Sequence, residues 1–146
     1  MKASGIKKVI GIDPGTGRTG WAIVEGNRIK QRLLACGCFE TRPNMKQSLR
    51  LVAIAEKLEE VVREFQPDVA AVEELFFFKN AKTVIRVGEG RGVAVVTMER
   101  NHIPVYDYTP LQVKQSISGY GRADKKQVQL MVKSILKLPE IPKPDD

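Results

Sequence analysis

The spacing of hydrophobic residues changes near Met45, and this change constrains the fold more than any other feature of the sequence. Before it, short β-branched and aromatic runs are separated by Gly and Asn, which is typical of strands joined by hairpins. After it, apolar residues recur every three or four positions over 51–65, which predicts an amphipathic helix that ends before Pro67. Three strands followed by alternating helices and strands predict an α/β chain with a mixed sheet.

Five further elements are expected after Pro67. They are a strand at 68–73, a helix at about 80–100, a strand at 105–108, a short helix around 112–116, and a helix from Asp124 to Leu138. Asp124 and Gln127 have the spacing of a capping box, which marks the start of the last helix. Gly88 and Gly92 lie on one face of the 80–100 helix, where they would let another backbone approach closely.

Length and composition limit the class of protein. The chain has 146 residues, of which 42% are hydrophobic and 28% are charged, so we expect one globular domain, 1–146. No apolar run approaches the roughly 18 residues that span a bilayer. No apolar stretch follows the N-terminal charges either, which argues against secretion. Cys36 and Cys38 are expected to point to opposite faces of a strand, without a mutual disulfide. Together these features predict a cytoplasmic protein.

The charge is basic and unevenly distributed. The formal net charge is +7, and most of the excess lies in residues 114–137. The basic residues of this stripe are Lys114, Arg122, Lys125, Lys126, Lys133 and Lys137. Such a stripe is typical of a nucleic-acid surface, but also of a solvated helix face, and charge alone leaves both interpretations open.

The glycines at 15–20 have the spacing G-x-G-x-x-G of a dinucleotide site. That site requires a helix directly after the glycines, because the helix N-terminus holds the pyrophosphate. The residues that follow, 21–24, are strand-like instead. The glycines are therefore expected to form a hairpin turn, and no Gly-Lys-Ser/Thr follows them to indicate a phosphate loop.

Acidic residues stand at the ends of two predicted strands. Asp13 ends the first strand, and Glu73 ends the strand at 69–72 in the same way. If these strands are neighbours, both carboxylates emerge at one edge, where they repel each other unless a cation such as Mg²⁺ or Mn²⁺ is present. Asp145 and Asp146 are further candidates, because a two-metal hydrolase needs three or four carboxylates. Acids at strand ends also face solvent in ordinary turns, and that alternative stays open.

At this point the sequence resembles the RuvC family of bacterial Holliday junction resolvases, in the RNase H-like superfamily. The stretches that carry the resemblance are I-G-I-D-P-G at 10–15, F-Q-P-D at 65–68, V-E-E-L-F at 72–76, K-N-A at 79–81, R-G-V-A at 91–94, Q-V-K-Q at 112–115 and Q-V-Q at 127–129. They occur in family order over almost the whole chain.

The resemblance implies a single RNase H-like nuclease domain, with a mixed five-stranded sheet flanked by helices. It also implies a homodimer that makes paired, symmetric nicks in four-way DNA junctions during recombination and repair. The implied cofactor is Mg²⁺, two ions per active site, for which Mn²⁺ can substitute. The implied partners are the branch-migration proteins RuvA and RuvB.

Site residues follow from the resemblance by position. The family's catalytic, metal-binding carboxylates match Asp13, Glu73 and Asp145. Its aromatic junction contact and its cleavage lysines match Phe76, Lys114 and Lys125. Two further candidate DNA contacts are Lys79 of the K-N-A segment and Arg122 of the loop before the last helix. The helix that pairs across the family's dimer axis matches 79–100, which would account for Gly88 and Gly92.

The end of the sequence departs from the family pattern. The family's last acid lies three residues after the position of Asp145, on a closing helix, whereas Asp146 is adjacent and does not take that role. The domain is therefore C-terminally incomplete relative to the family, and we expect weakened metal binding and nicking with junction binding kept. Two alternatives remain: an RNA-processing nuclease similar to the YqgF family, or a catalytically impaired protein that binds junctions.

Overall fold

The computed structural model describes residues 5–15, 17–74, 80–119 and 122–143. The strands are β1 (Lys7–Asp13), β2 (Arg18–Gly26), β3 (Gln31–Glu40), β4 (Val69–Glu73) and β5 (Val105–Tyr108). They form one sheet in the order β3-β2-β1-β4-β5. The β1–β2 and β2–β3 pairs are antiparallel, whereas β1–β4 and β4–β5 are parallel. The predicted mixed sheet of five strands is thus confirmed, and the glycine-rich segment leads into a strand, as expected.

The described helices are α1 (Gln47–Phe65), α2 (Ala81–Arg100), α3 (Pro110–Ser118) and α4 (Lys125–Leu136). α1 ends where Gln66 adopts a left-handed conformation, directly before Pro67. The predicted capping box of Asp124 at the start of α4 is confirmed. α3 begins earlier than expected, because Thr109 caps it in a second capping box. Within the described ranges no helix is long and apolar enough to cross a membrane.

The main core lies between one face of the sheet and helices α1 and α2. Its buried residues are Ile10, Ile12, Ile23, Ile54, Leu58, Val61, Val62, Ala70, Val72, Ala94, Met98 and Ile103. Side chains alternate between the two faces of a strand. The residues between these core positions on β1 and β4 therefore point to the other face, where α3 contacts β5 and α4 contacts β3.

Cys36 and Cys38 correct one expectation. In the β2–β3 ladder Cys36 pairs with Ala22 and Cys38 pairs with Gly20, and residues two apart on a strand share a face. The expectation that the two thiols point to opposite faces is wrong. Both side chains are nevertheless exposed, and neither takes part in a disulfide.

Candidate active site

Asp13 and Glu73 lie side by side at one end of the sheet. In the parallel β1–β4 pair Ile12 lies opposite Val72, and the next residue on each strand is the acid. Because Ile12 and Val72 are buried in the core, the two acids point to the opposite face. Their carboxyl groups lie close enough together that Asp13 raises the pKa of Glu73. The parallel pairing thus brings together two carboxyl groups that are far apart in the chain.

The environment of Glu73 disfavours its charged form. Partial burial and repulsion by Asp13 raise the pKa of Glu73 from 4.5 to about 7, against a lowering effect of Lys114. Protonation of Glu73 relieves the repulsion between the two carboxyls, and a divalent cation would relieve it with both groups ionised. Carboxylate oxygens are also the donors that Mg²⁺ prefers. The pair therefore fits a hard divalent cation.

The described residues do not include the third predicted carboxylate. Among those residues no group of three His, Cys, Asp or Glu side chains is arranged to hold a metal ion. Asp145 lies outside the described ranges, and so do Phe76 and Lys79. The roles of these three residues stay predictions.

An open cleft of about 350 Å³ lies beside the two acids. Its floor consists of small residues on the three central strands: Gly11, Gly20, Ala22 and Ala71. Gly20 lies opposite Asp13 in the sheet, and a Cβ atom at Gly20 would be 3.7 Å from the Cβ of Asp13. The small floor residues leave the carboxyl groups reachable by a ligand.

The walls of the cleft include residues that sequence reasoning missed. Tyr108 and Val113 line it beside Glu73, and Arg18 of β2 and Cys38 of β3 line its other side. Tyr108 pairs with Glu73 in the β4–β5 ladder and is 42% exposed. The sequence did contain a signal for Tyr108. It ends the predicted strand that follows the strand of Glu73, so its aromatic ring is expected at the same edge of the sheet.

The turn after Asp13 rests on α2 at a glycine that the sequence analysis did not single out. The carbonyl oxygen of Gly15 accepts a hydrogen bond from the Thr19 hydroxyl (3.2 Å). A Cβ atom at Gly90 would lie only 2.9 Å from that same oxygen. Within the chain, the glycine of α2 that lets another backbone segment approach closely is thus Gly90. Gly92, by contrast, is exposed and has no atom within 4 Å of its Cβ position.

The basic stripe lies on the α3–α4 side of the cleft. Lys114, half-buried on α3, lies close enough to Glu73 to lower the pKa of its carboxyl. Arg122, shortly before α4, and Lys125, its first residue, are both exposed, and α4 contacts α3. The described part of the stripe therefore joins the neighbourhood of the two acids to an exposed basic surface.

Proteins named crossover junction endodeoxyribonuclease RuvC are similar to this chain over most of its length. The family profile of that description matches residues 9–146. The protein from Caldicellulosiruptor saccharolyticus is 53% identical over 140 residues, which cover 95% of this chain and 84% of the relative. The protein from Desulforamulus reducens is 50% identical over 140 residues, which cover 94% of this chain and 85% of the relative.

Solved structures agree with the sequence comparison. The structure titled "T. thermophilus RuvC in complex with Holliday junction substrate" has a TM-score of 0.89 at 38% identity, and the match covers 94% of this chain and 84% of that one. The yeast mitochondrial Holliday junction resolvase Ydc2 has a TM-score of 0.65 at 15% identity, covers 90% of this chain and 61% of its own, and shares the fold alone. These matches confirm the predicted fold. With a family profile that spans nearly the whole sequence and relatives at half identity or more, the chain belongs to the RuvC family of crossover junction endodeoxyribonucleases.

Proposed function

We propose that this chain acts as a homodimer with a divalent-metal site in each subunit and makes paired, symmetric nicks in four-way DNA junctions. The observation that carries the proposal is the pair of adjacent carboxyls, Asp13 and Glu73, at an open cleft. Two acids that resist simultaneous ionisation are suited to holding a dication. Carboxylates that only stabilise the fold are normally paired with Lys or Arg instead.

Asp13, Glu73 and Asp145 would together hold two Mg²⁺ ions, for which Mn²⁺ can substitute. When bound, the ions would activate the attacking water and stabilise the leaving oxygen of the phosphodiester. Lys114 reduces the negative charge next to Glu73, which eases the approach of a phosphate. The small floor of the cleft admits the sugar-phosphate backbone, and cleavage leaves 5′-phosphate and 3′-hydroxyl ends.

The DNA contacts are assigned to basic and aromatic residues around the cleft. Lys79, Arg122 and Lys125 would neutralise phosphates, and such contacts make binding strongly dependent on salt. Phe76 would stack on a base at the centre of the junction, a contact worth about 1–3 kcal/mol.

The dimer is assigned to the outer face of α2. Ile85 and Val96 are 63% and 55% exposed, and the open position Gly92 lies between them on the same face, with Gly88 close by. Apolar residues around small ones suit close packing against the same helix of a second copy. Two active sites related by a two-fold axis match the symmetry of a four-way junction. RuvA and RuvB would act on the same junction by branch migration.

The experiment that tests this proposal compares a labelled four-way junction with a linear duplex of the same arm sequence, with Mg²⁺ and with EDTA. Asp13→Asn serves as the inactive variant, because it removes a carboxylate charge and keeps the shape of the side chain. We expect paired nicks on the junction only, dependent on Mg²⁺ and absent in the variant.

Other outcomes point to the alternatives. Junction-selective binding without nicks, unaffected by metal, would indicate a non-catalytic junction-binding protein. Equal affinity for junction and duplex would contradict the proposal, and structured RNA would then be the next substrate to test.

A further inference from the structure

Arg50 is a buried charged residue that the proposed chemistry does not use. It lies in the first turn of α1 and is only 8% exposed. Buried charges are normally paired with an opposite charge, yet within the described ranges Arg50 makes no ion pair with a carboxylate. Its Nε donates a hydrogen bond to the hydroxyl oxygen of Thr41 (2.8 Å). A largely buried arginine held in this way requires a reason.

The contacts of Arg50 lead to the turn that follows Asp13. The amide of Thr41 donates a hydrogen bond to the carbonyl oxygen of Gly17 (3.0 Å). A Cβ atom at Gly17 would lie 3.4 Å from a terminal nitrogen of Arg50. Arg50, Thr41 and Gly17 thus form one set of contacts, which we call the turn clamp. It holds the turn between β1 and β2 against the start of α1.

The turn clamp acts on the segment of chain directly after Asp13. On its other side the same turn is held by α2, where Gly90 packs against the carbonyl oxygen of Gly15. Gly15 packs against Gly90 of α2, and Gly17 lies against Arg50 of α1. Contacts at these two positions close to Asp13 would limit its movement relative to Glu73. Misplacement of a reacting group by about 1 Å can reduce a rate by about 100-fold.

Given the proposed role of Asp13 as a metal ligand, we propose that Arg50 is a positioning residue of the nuclease site, which fixes the Asp13 carboxylate through the turn clamp. Arginine suits this task because its rigid, planar guanidinium donates from Nε and from its terminal nitrogens in fixed directions. A lysine at this position retains the charge but has no Nε donor and no planar fork. The buried charge therefore specifies a geometry, at a cost in desolvation.

The first test measures kinetics on the four-way junction with the full chain and saturating Mg²⁺. Arg50→Gln is expected to reduce kcat by about 10- to 100-fold and to leave KM and junction binding in EDTA unchanged. Arg50→Lys is expected to lie between this variant and wild type. Arg63→Gln is the matched control, because it removes an exposed arginine from the other end of the same helix, and we expect wild-type kcat.

The second test needs no metal and no activity. Amide hydrogen exchange in EDTA is followed at Gly15, Gly17 and Arg18, relative to amides in the core strands. Arg50→Gln is expected to speed exchange about tenfold or more in this turn only, which local opening would produce without global unfolding. Thr41→Val, which removes the acceptor oxygen, is expected to do the same, and Thr41→Ser, which keeps it, is expected to restore wild-type protection.

Two results would overturn the proposal. The first is wild-type kcat together with wild-type exchange in Arg50→Gln. The second is faster exchange throughout the core, since that would mean Arg50 contributes only to global stability. If the wild-type chain itself nicks no junction, the proposed function fails separately, and the exchange measurement still decides whether Arg50 holds the turn.

Discussion

Replacement of Glu73 by Gln is expected to stabilise the metal-free protein at alkaline pH. Partial burial and the neighbouring Asp13 raise the pKa of Glu73 to about 7. Ionising this group costs more free energy in the folded protein than in the unfolded chain, because in the unfolded chain the carboxyl has its ordinary pKa of 4.5. The amide of Gln preserves the size of the side chain and removes that cost.

The pH dependence has a definite sign. Between pH 4.5 and about 7 the folded protein binds more protons at Glu73 than the unfolded chain does, so this group makes the free energy of unfolding fall as pH rises through that window. The difference between the pKa values of Glu73 in the folded protein and in the unfolded chain corresponds to about 3 kcal/mol of stability. Solvent screening at a partly exposed carboxyl reduces this contribution to about 1–2 kcal/mol. Glu73→Gln is therefore expected to exceed wild type by that amount at pH 8 and to match it near pH 4.5.

Urea unfolding followed by circular dichroism, in EDTA at pH 5 and pH 8, measures this difference. Glu64→Gln is the control, because Glu64 is exposed on α1, and its effect is expected to stay within about 0.5 kcal/mol at both pH values. Mg²⁺ added at pH 8 is expected to stabilise wild type and not Glu73→Gln, since a ligand that binds only the folded state raises its stability. A variant less stable than wild type at pH 8, or equally stabilised at both pH values, would refute the electrostatic reasoning.

Four further outcomes are expected. Lys114→Ala should raise the pKa of Glu73 above about 7, because Lys114 lowers it; carboxyl titration by NMR checks this, and an unchanged pKa would contradict it. Gly92→Leu should leave the monomer folded, since the position is open, and should weaken the dimer in analytical ultracentrifugation. Lys125→Ala should lower the slope of log junction affinity against log salt by about 1 if that lysine contacts a phosphate. Leu58→Ala, at a fully buried core position, should cost about 2–5 kcal/mol in urea unfolding.

Much of the secondary structure could be predicted because its causes are local. The change from strand to helix periodicity near Met45 appears as the boundary between β3 and α1. Pro67 and the capping box of Asp124 marked helix boundaries, since both act on the backbone within a few residues. The error over Cys36 and Cys38 was avoidable, because residues two apart on any strand share a face. The start of α3 was missed because Thr109 was not recognised as a second capping residue.

The sequence by itself determined the elements, the family motifs and which acids were worth considering. Only the tertiary structure decided that Asp13 and burial raise the pKa of Glu73, since that depends on the parallel pairing of β1 with β4 and on desolvation at the sheet edge. It also decided that Gly90 meets Gly15 and that Arg50 meets Thr41 and Gly17. These contacts join residues far apart in the chain, and no local pattern encodes them. Periodicity specifies which face of an element is buried, whereas the packing of elements specifies which side chains meet.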